Sequence, residues 1–142
     1  MPRASAPERW TCPACGRSFG RNLQGHLCVP TMPVAGYVAA QPDHLRPIFE
    51  AALAYLAQLP GLDIEAASVG LLVKRRRKFV ELRPRRKWVV LSFILPDVVD
   101  NPRVRRTVPV GRSAAHYVQL NSAADFDDDV RDWIAQSCDH HA

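Results

Sequence analysis

The chain has 142 residues, of which 47% are hydrophobic, and it carries a formal charge of +5. This length allows a small module beside one domain of about 100 residues, which is large enough to bury a core. The longest apolar stretch, residues 88–95, is far shorter than the roughly 20 residues that cross a bilayer, and the first residues show no apolar signal segment. We therefore expect a cytoplasmic protein with no membrane partner.

Residues 9–30 predict a small zinc-binding module, after a start (residues 1–8) that we expect to be disordered. The predicted ligands of a structural Zn(II) ion are three thiols and one imidazole, namely Cys12, Cys15, His26 and Cys28. This spacing brings two ligands from a tight turn against two from a later turn, as a four-coordinate ion requires. Gly16 can take the φ > 0 conformation that such a turn often needs, and Phe19 and Leu23 are expected to form a small core.

The module resembles a Cys2His2 finger in the intervals from Cys15 to Phe19 and from Leu23 to His26. His26 and Cys28, however, lie roughly 200° apart around a helix, so one helical face cannot present both to the same ion. The resemblance therefore extends to zinc binding and not to sequence-specific DNA reading. Disulfides or free buried thiols are the alternatives for the cysteines, and a reducing cytoplasm together with the histidine in register favours zinc.

Residues 31–41, which follow Pro30 and contain Pro33 and Gly36, predict a linker, followed by an α+β domain over residues 42–138. The domain opens with a helix, because apolar residues recur at helical spacing from Leu45 to Ala57. Pro47 is expected in the first turn of that helix, and Pro60 with Gly61 ends it.

The pattern then changes to extended segments, which predict strands over residues 64–73, 78–83, 87–95, 103–110 and 115–120. A final helix is expected to begin at a Ser122 cap and to turn Phe126, Val130, Trp133 and Ile134 inward. Residues 139–142, with His140 and His141, are expected to be a disordered tail. Two helices on one face of an antiparallel sheet of four or five strands make a two-layer α+β fold.

The positive charge is concentrated in one part of the chain. Residues 74–112 hold 13 Lys or Arg and 3 acidic residues, a net of 13 − 3 = +10, so the rest of the chain sums to 5 − 10 = −5. The candidate residues for binding nucleic acid or another anion all lie in one predicted hairpin. They are Arg75, Arg76, Arg77, Lys78, Arg85, Arg86 and Lys87. Guanidinium groups suit phosphate, and Trp88 and Tyr117 offer stacking surfaces for unpaired bases. The alternative is a charged sheet edge that prevents aggregation.

His116 is a second candidate, because it alternates with Val118 and Leu120 and is expected to face inward. A hydrogen-bonded interior histidine is the favoured interpretation. The functional alternative is a small anion pocket at the sheet surface that His116 lines near Arg105 or Lys87. The sequence shows no glycine-rich phosphate loop, nucleophile elbow or HExxH pair, so it predicts no catalytic residue.

Several short motifs recur in the same order as in a known family. They are WTCPACGRSF (10–19), QGHLC (24–28), KFVEL (78–82), RKW (86–88), SFILP (92–96), HYVQL (116–120) and the closing helix over 127–137. Together they resemble the bacterial proteins grouped as domain of unknown function 5655. The resemblance implies the fold and, because some members carry the same N-terminal motif, the zinc site. It implies no activity and no catalytic residues.

From these patterns we expect a non-enzymatic, zinc-containing protein whose basic hairpin contacts nucleic acid through phosphates. The alternative is an adaptor for a protein partner or for an anionic small ligand. An enzyme that uses His116 with Arg105 is the third hypothesis, and it has the least support.

Overall fold

The main domain is an antiparallel sheet with helices packed on one face. The coordinates are a computed structural model, and they describe residues 10–16, 18–20, 23, 25 and 31–141. The strands are β1 (Trp10–Thr11), β2 (Ser18–Phe19), β3 (Thr31–Met32), β4 (Asp63–Ala67), β5 (Gly70–Lys74), β6 (Lys78–Pro84), β7 (Val89–Leu95), β8 (Val104–Val110) and β9 (Ser113–Leu120). The helices are α1 (Val34–Ala39), α2 (Arg46–Leu56) and α3 (Asp128–His140), with a 3-10 turn (Ala123–Asp125) before α3.

Within the described ranges, the main sheet has the strand order β3-β4-β5-β6-β7-β9-β8, and each neighbouring pair is antiparallel. β3 contributes only two residues, so the six longer strands make up most of this sheet. The α+β class is confirmed, but the expectation of four or five strands is too low. The main reason is that the predicted strand over 64–73 is a hairpin made of β4 and β5.

The β4–β5 hairpin depends on Gly70. Ala67 pairs with Gly70 across a two-residue turn, and Gly70 has φ of 147°, in a region that L side chains rarely adopt. A Cβ atom at this position would also collide with the carbonyl oxygen of Leu82 on the neighbouring strand. The turn residues Ser68 and Val69 lack the usual Asn-Gly or Asp-Gly signal of a short hairpin, so the sequence reads as one continuous strand.

The segment predicted to be a linker is structured. β3 pairs with β4, and α1 buries Tyr37 and Val38 in the main core. The Tyr37 ring meets Phe49 of α2 edge-on, with 5.7 Å between ring centroids. The prediction failed because a six-residue helix with a proline before it and a glycine inside it has a weak local signal. Burial against α2 supplies the stability instead.

The final helix differs from its prediction at both ends. A 3-10 turn follows Ser122, and α3 is capped by Asp127, whose side chain accepts a hydrogen bond from the Val130 N–H. At the other end the helix continues to His140, and the His141 ring stacks on Phe79 with 5.3 Å between centroids. The described part of the predicted tail is therefore ordered by packing, whereas the inward stripe of α3 is buried as expected.

The two faces of the sheet have different environments. Leu82, Leu91 and Val118 belong to the main core, which includes apolar residues of α2 and α3. The pairing register places Glu81, Ser92 and Tyr117 in one row across β6, β7 and β9. Because successive strand residues alternate between faces, this row lies on the side opposite the core. We call this side the open face.

The N-terminal module packs near one end of the open face. Trp10 pairs with Phe19 across β1 and β2, and their rings lie 6.0 Å apart. The Lys74 ammonium of β5 lies 4.9 Å from the centroid of the Phe19 ring and bonds Glu65 of β4 at 2.9 Å. Leu23 is 75% exposed, so the expectation that it joins Phe19 in a small core was wrong.

Candidate anion-binding groove

Two of the predicted zinc ligands lie in the turn between β1 and β2. Cys12 and Cys15 are both buried, and the Gly16 N–H donates to the Cys12 carbonyl at 2.8 Å. Gly16 has φ of 76°, which is the left-handed conformation expected for this turn. The other two predicted ligands, His26 and Cys28, lie outside the described residues. Among those that are described, no group of three or more potential metal ligands occurs.

A groove of about 690 Å³ lies on the open face, above strands β6 to β9. Its cationic lining residues are Lys78, Arg83, Arg85 and Arg106, which come from β6, the turn after it, and β8. Tyr117 and Ser92 contribute polar surface, while Val90, Ile94 and Ala115 contribute apolar surface. A concave surface of this composition suits an anionic ligand that also has apolar or aromatic parts.

Glu81 holds two of the groove cations in place. Its side chain is 11% exposed, accepts a hydrogen bond from Arg83 Nε at 2.6 Å, and forms an ion pair with the Lys78 ammonium. Burial raises the pKa of Glu81, but the hydrogen bonds from Arg83 and Lys78 outweigh this effect, so its pKa is below the ordinary value. Glu81 is therefore a carboxylate at neutral pH, and it fixes the positions of both cations.

Arg106 and Tyr117 form a second fixed pair in the groove. The Arg106 guanidinium lies over the Tyr117 ring, 4.7 Å from its centroid. A shift in register between β8 and β9 produces this contact, because the paired residues on β8 step from Val104 to Arg106. The irregularity brings Arg106 opposite Tyr117, whereas Arg105 approaches Gln119 at 3.5 Å.

A second pocket, of about 380 Å³, adjoins the groove at one end of the sheet and shares Lys78, Ile94 and Val110 with it. Its polar lining residues come from the β5–β6 connection and the start of β6, the start of β9 and the end of α3. They are Arg76, Arg77, Lys78, Ser113, His140 and His141. We call it the end pocket. Ser113 Oγ and His140 Nε2 are hydrogen-bonded at 3.1 Å.

The His141 ring in the end pocket is held on two sides. Its Nδ1 donates to the Ser137 carbonyl at 2.7 Å, and the ring stacks on Phe79. Burial lowers the pKa of His141, the hydrogen bond to Ser137 raises it, and His140 and Arg77 lower it further, so its pKa is below 6.5. The ring is therefore mainly neutral at pH 7 and acts as a dipolar group.

The seven predicted hairpin cations separate into different places. Arg76, Arg77, Lys78 and Arg85 line the groove or its end pocket. Arg75 instead donates to the Cys138 carbonyl at 3.2 Å, near the end of α3. Arg86 and Lys87 are exposed at the β6–β7 turn, where the Arg86 carbonyl meets His44 Nε2 at 2.9 Å. The half-buried Trp88 follows them and is absent from the groove lining.

Sequence reasoning missed Arg83, Arg106 and Glu81. Alternation along β6 could have shown that Arg83 shares a face with Glu81. No local signal places Arg106 on that face, because its position depends on the register shift between β8 and β9. The groove is therefore assembled from residues that are distant in the chain.

The structure does not bring His116 and Arg105 into one site. His116 is fully buried, its Nε2 accepts a hydrogen bond from the Val99 N–H at 2.9 Å, and its ring stacks on Phe93 at 5.1 Å. Arg105 is exposed and lines a different, shallow site of about 250 Å³ with Gln119. The ring of His116 therefore packs in the interior, as its alternation with Val118 indicates.

A comparison with protein families matches residues 34–141 to a domain of unknown function, DUF5655. The chain belongs to this family. The match contains the whole groove and the end pocket, whereas the predicted zinc ligands precede it. No curated protein and no solved structure matches the chain. In the described part of this DUF5655 protein, none of the helices has the length and apolarity needed to cross a membrane.

Proposed function

We propose that this DUF5655 protein binds single-stranded nucleic acid, without catalysing a reaction on it, in the groove of the open face. The observation that carries the proposal is the convergence of Arg83, Arg85, Arg106 and Lys78 on one concave surface that also contains Tyr117. Phosphates would be bound by the guanidinium and ammonium groups, which form charge-assisted hydrogen bonds with phosphate oxygens.

The charge balance of the groove supports a polyanionic ligand. Lys78 and Arg83 share one carboxylate, that of Glu81. Arg85 and Arg106 form no ion pair with any described carboxylate, so their charge is available to a ligand. Among the described residues that line the groove, Glu81 is the one carboxylate.

The groove also has the features of a surface that accepts unpaired bases. Exposed sheet faces bind single strands when aromatic rings or guanidinium planes are available for stacking. The guanidinium of Arg106, which rests on Tyr117, offers such a plane. Arg83 and Arg106 lie on strands three steps apart in the sheet, which corresponds to about 14 Å at ordinary strand spacing. This separation favours an extended ligand over a compact ion.

We further propose that Cys12, Cys15, His26 and Cys28 hold a structural Zn(II) ion. Support comes from the donor types and from the buried Cys12–Cys15 turn with its left-handed Gly16. When bound, the metal would stabilise a module too small to fold on its own core. A reducing compartment such as the cytoplasm would keep these thiols from pairing as disulfides, so we propose a cytoplasmic location.

Fluorescence anisotropy with a labelled single-stranded oligonucleotide tests nucleic-acid binding. The logarithm of the association constant should fall linearly with the logarithm of the salt concentration. Arg106→Ala should weaken binding and reduce that slope by about 0.7, the value for one lost phosphate contact with a single strand. Arg131→Ala is the matched control, because Arg131 is an α3 residue outside the groove lining and its ion pair with Asp128 is exposed.

Absence of oligonucleotide binding at low salt would refute the proposal, as would equal effects of Arg106→Ala and Arg131→Ala. Duplexes of the same sequence should bind more weakly than the single strand, because paired bases cannot reach the stacking surface. RNA and DNA single strands are compared in the same titration.

The alternative function is an adaptor for an anionic small ligand or an acidic protein. The volume of about 690 Å³ favours the small-ligand form of it, since this is within the usual range for such sites. A partner protein that stays bound after nuclease treatment would favour the protein form. Thermal stabilisation by a mononucleotide, with no added affinity for longer strands, would favour the small ligand.

A further inference from the structure

The end pocket has a composition that differs from the rest of the groove. Its described lining includes six polar side chains, namely Arg76, Arg77, Lys78, Ser113, His140 and His141, and no carboxylate side chain. The groove proper has Glu81 in its lining. The end pocket therefore suits a more highly charged anion than the groove does.

Arg76 and Arg77 of the end pocket do not bind the carbonyl groups at the nearby end of α3. The last turn of a helix exposes carbonyl groups that attract cations. In α3 the Arg75 guanidinium donates to the Cys138 carbonyl, and the His141 N–H lies within hydrogen-bond distance of the Ser137 and Cys138 carbonyls. Arg76 and Arg77 form no ion pair with a described carboxylate, and both are exposed.

The serine and the two histidines of the end pocket are held at fixed positions. Ser113 Oγ and His140 Nε2 are linked at 3.1 Å, and the His141 ring packs on Phe79 and bonds Ser137. The two imidazole rings lie 4.8 Å apart and nearly perpendicular, at 83°. The neutral His141 ring uses its Nδ1 proton on the Ser137 carbonyl, so its Nε2 has no proton to donate. The donors that the end pocket offers to a tetrahedral oxyanion are therefore the side chains of Arg76, Arg77 and Lys78, together with one proton of the Ser113–His140 pair.

Continuity with the groove determines which anion can reach this pocket. Lys78, Ile94 and Val110 belong to the lining of both, so a strand that lies in the groove can place one of its ends in the end pocket. An internal phosphodiester carries one negative charge, whereas a terminal phosphate monoester carries about −1.5 to −2 at neutral pH. The terminal group also offers three free oxygens to the surrounding donors.

We propose that the end pocket binds the terminal phosphate monoester of the single strand held in the groove. This inference rests on the proposed nucleic-acid binding and adds recognition of a strand end to it. The phosphate can stand at the 5′ or the 3′ end, depending on the direction of the strand. Both ends supply the same chemistry, and they are separated by experiment.

The test uses the full-length protein and three internally labelled oligonucleotides of one sequence, with hydroxyl ends, a 5′-phosphate or a 3′-phosphate. One phosphorylated form should bind about tenfold more tightly than the hydroxyl form, a difference of one or two charge-assisted hydrogen bonds. Arg77→Ala and His140→Ala should abolish this preference. They should change the affinity for the hydroxyl form by about twofold or less, because the groove remains intact.

Arg85→Ala is the contrasting variant, since Arg85 lines the groove and not the end pocket. It should weaken all three oligonucleotides equally and keep the preference for the phosphorylated end. Arg77 is exposed in a turn, so its removal leaves the fold unchanged even if His140→Ala alters the end of α3.

Equal affinity for all three oligonucleotides would overturn the inference while nucleic-acid binding stands. A preference that survives both Arg77→Ala and His140→Ala would overturn it too, because the phosphate would then be read elsewhere. If none of the three binds, the proposed function and the inference fail together.

Discussion

Replacing Glu81 with glutamine should change stability and affinity in opposite directions. The Glu81 carboxylate forms ion pairs with both Lys78 and Arg83 in the groove. Glutamine has nearly the same shape, and its oxygen can still accept a hydrogen bond from Arg83, but it lacks the charge. We expect a loss of about 1 kcal/mol in the free energy of unfolding. This is below the roughly 1.5–3 kcal/mol of a hydrogen bond to a charged group, because both cations are more than a third exposed to solvent.

The effect on nucleic-acid affinity follows from Coulomb's law. A carboxylate about 6 Å from a bound phosphate repels it by about 0.7 kcal/mol at a dielectric constant of 80 and by about 3 kcal/mol at 20. Removing that charge, and releasing Lys78 and Arg83 toward the ligand, should therefore raise the affinity by about 3-fold to 100-fold. Anisotropy titrations at two salt concentrations measure this gain, which should shrink at high salt.

Asp129→Asn is the matched control, because it removes one negative charge from the exposed first turn of α3, outside the groove lining. If Glu81→Gln gained no more affinity than Asp129→Asn, the electrostatic argument for the groove would be refuted.

The pH dependence of stability gives a second check on the role of Glu81. The lowered pKa of Glu81 means that its stabilising effect is present above about 4.5 and is lost as pH falls through the folded-state pKa. Glu81→Gln should lack this part of the acid destabilisation in urea titrations.

Three further predictions concern the scaffold. Gly70→Ala should lower the free energy of unfolding by about 2 kcal/mol or more, because a side chain at φ of 147° meets the adjacent strand. Gly36→Ala is the control, since a methyl group there enters open space within α1, and it should be neutral or stabilising. Chemical denaturation measures both. Asp127→Ala should cost about 1 kcal/mol for the lost cap of α3, and more for the lost ion pair with Arg103, which donates to both carboxylate oxygens at 2.7 and 2.8 Å. Asp127→Asn keeps the cap and loses only the charge of the ion pair, so it should cost less. Equal losses for the two variants would contradict the capping role. Cys12→Ser should remove zinc from the purified protein, whereas Cys138→Ala should retain it. Elemental analysis measures the zinc content, and an unchanged content in Cys12→Ser would refute the metal site.

The long periodic segments of the fold were predictable from the sequence. Their packing partners were predictable only in part. The stripe of α2 through Ile48, Phe49 and Ala52 is buried as its spacing indicates, and β6, β7 and β9 lie close to their predicted bounds. Each of these elements buries a regularly spaced apolar face, so its local pattern and its tertiary environment agree. The family expected from the short motifs is also confirmed over residues 34–141.

The elements that were missed depend on contacts between distant residues. The helix α1 has a weak local signal, and Tyr37 is buried against Phe49 of α2. His141 is ordered by Phe79, which lies more than 60 positions earlier in the chain. A composition of 13 cations between residues 74 and 112 could not show that Arg75 binds α3 while Arg106 joins the groove. That division is set by strand register and by one irregularity in β8.

The position of β8 at the margin of the sheet has a consequence for how this protein could be re-engineered. Among the described strands it pairs only with β9, and most of its side chains face solvent. Except at Val104, which packs against the main core, substitutions in β8 therefore leave the interior packing of α2 and α3 undisturbed. A randomised library confined to this strand, around Arg106, would explore new ligand preferences while the rest of the molecule serves as a constant frame.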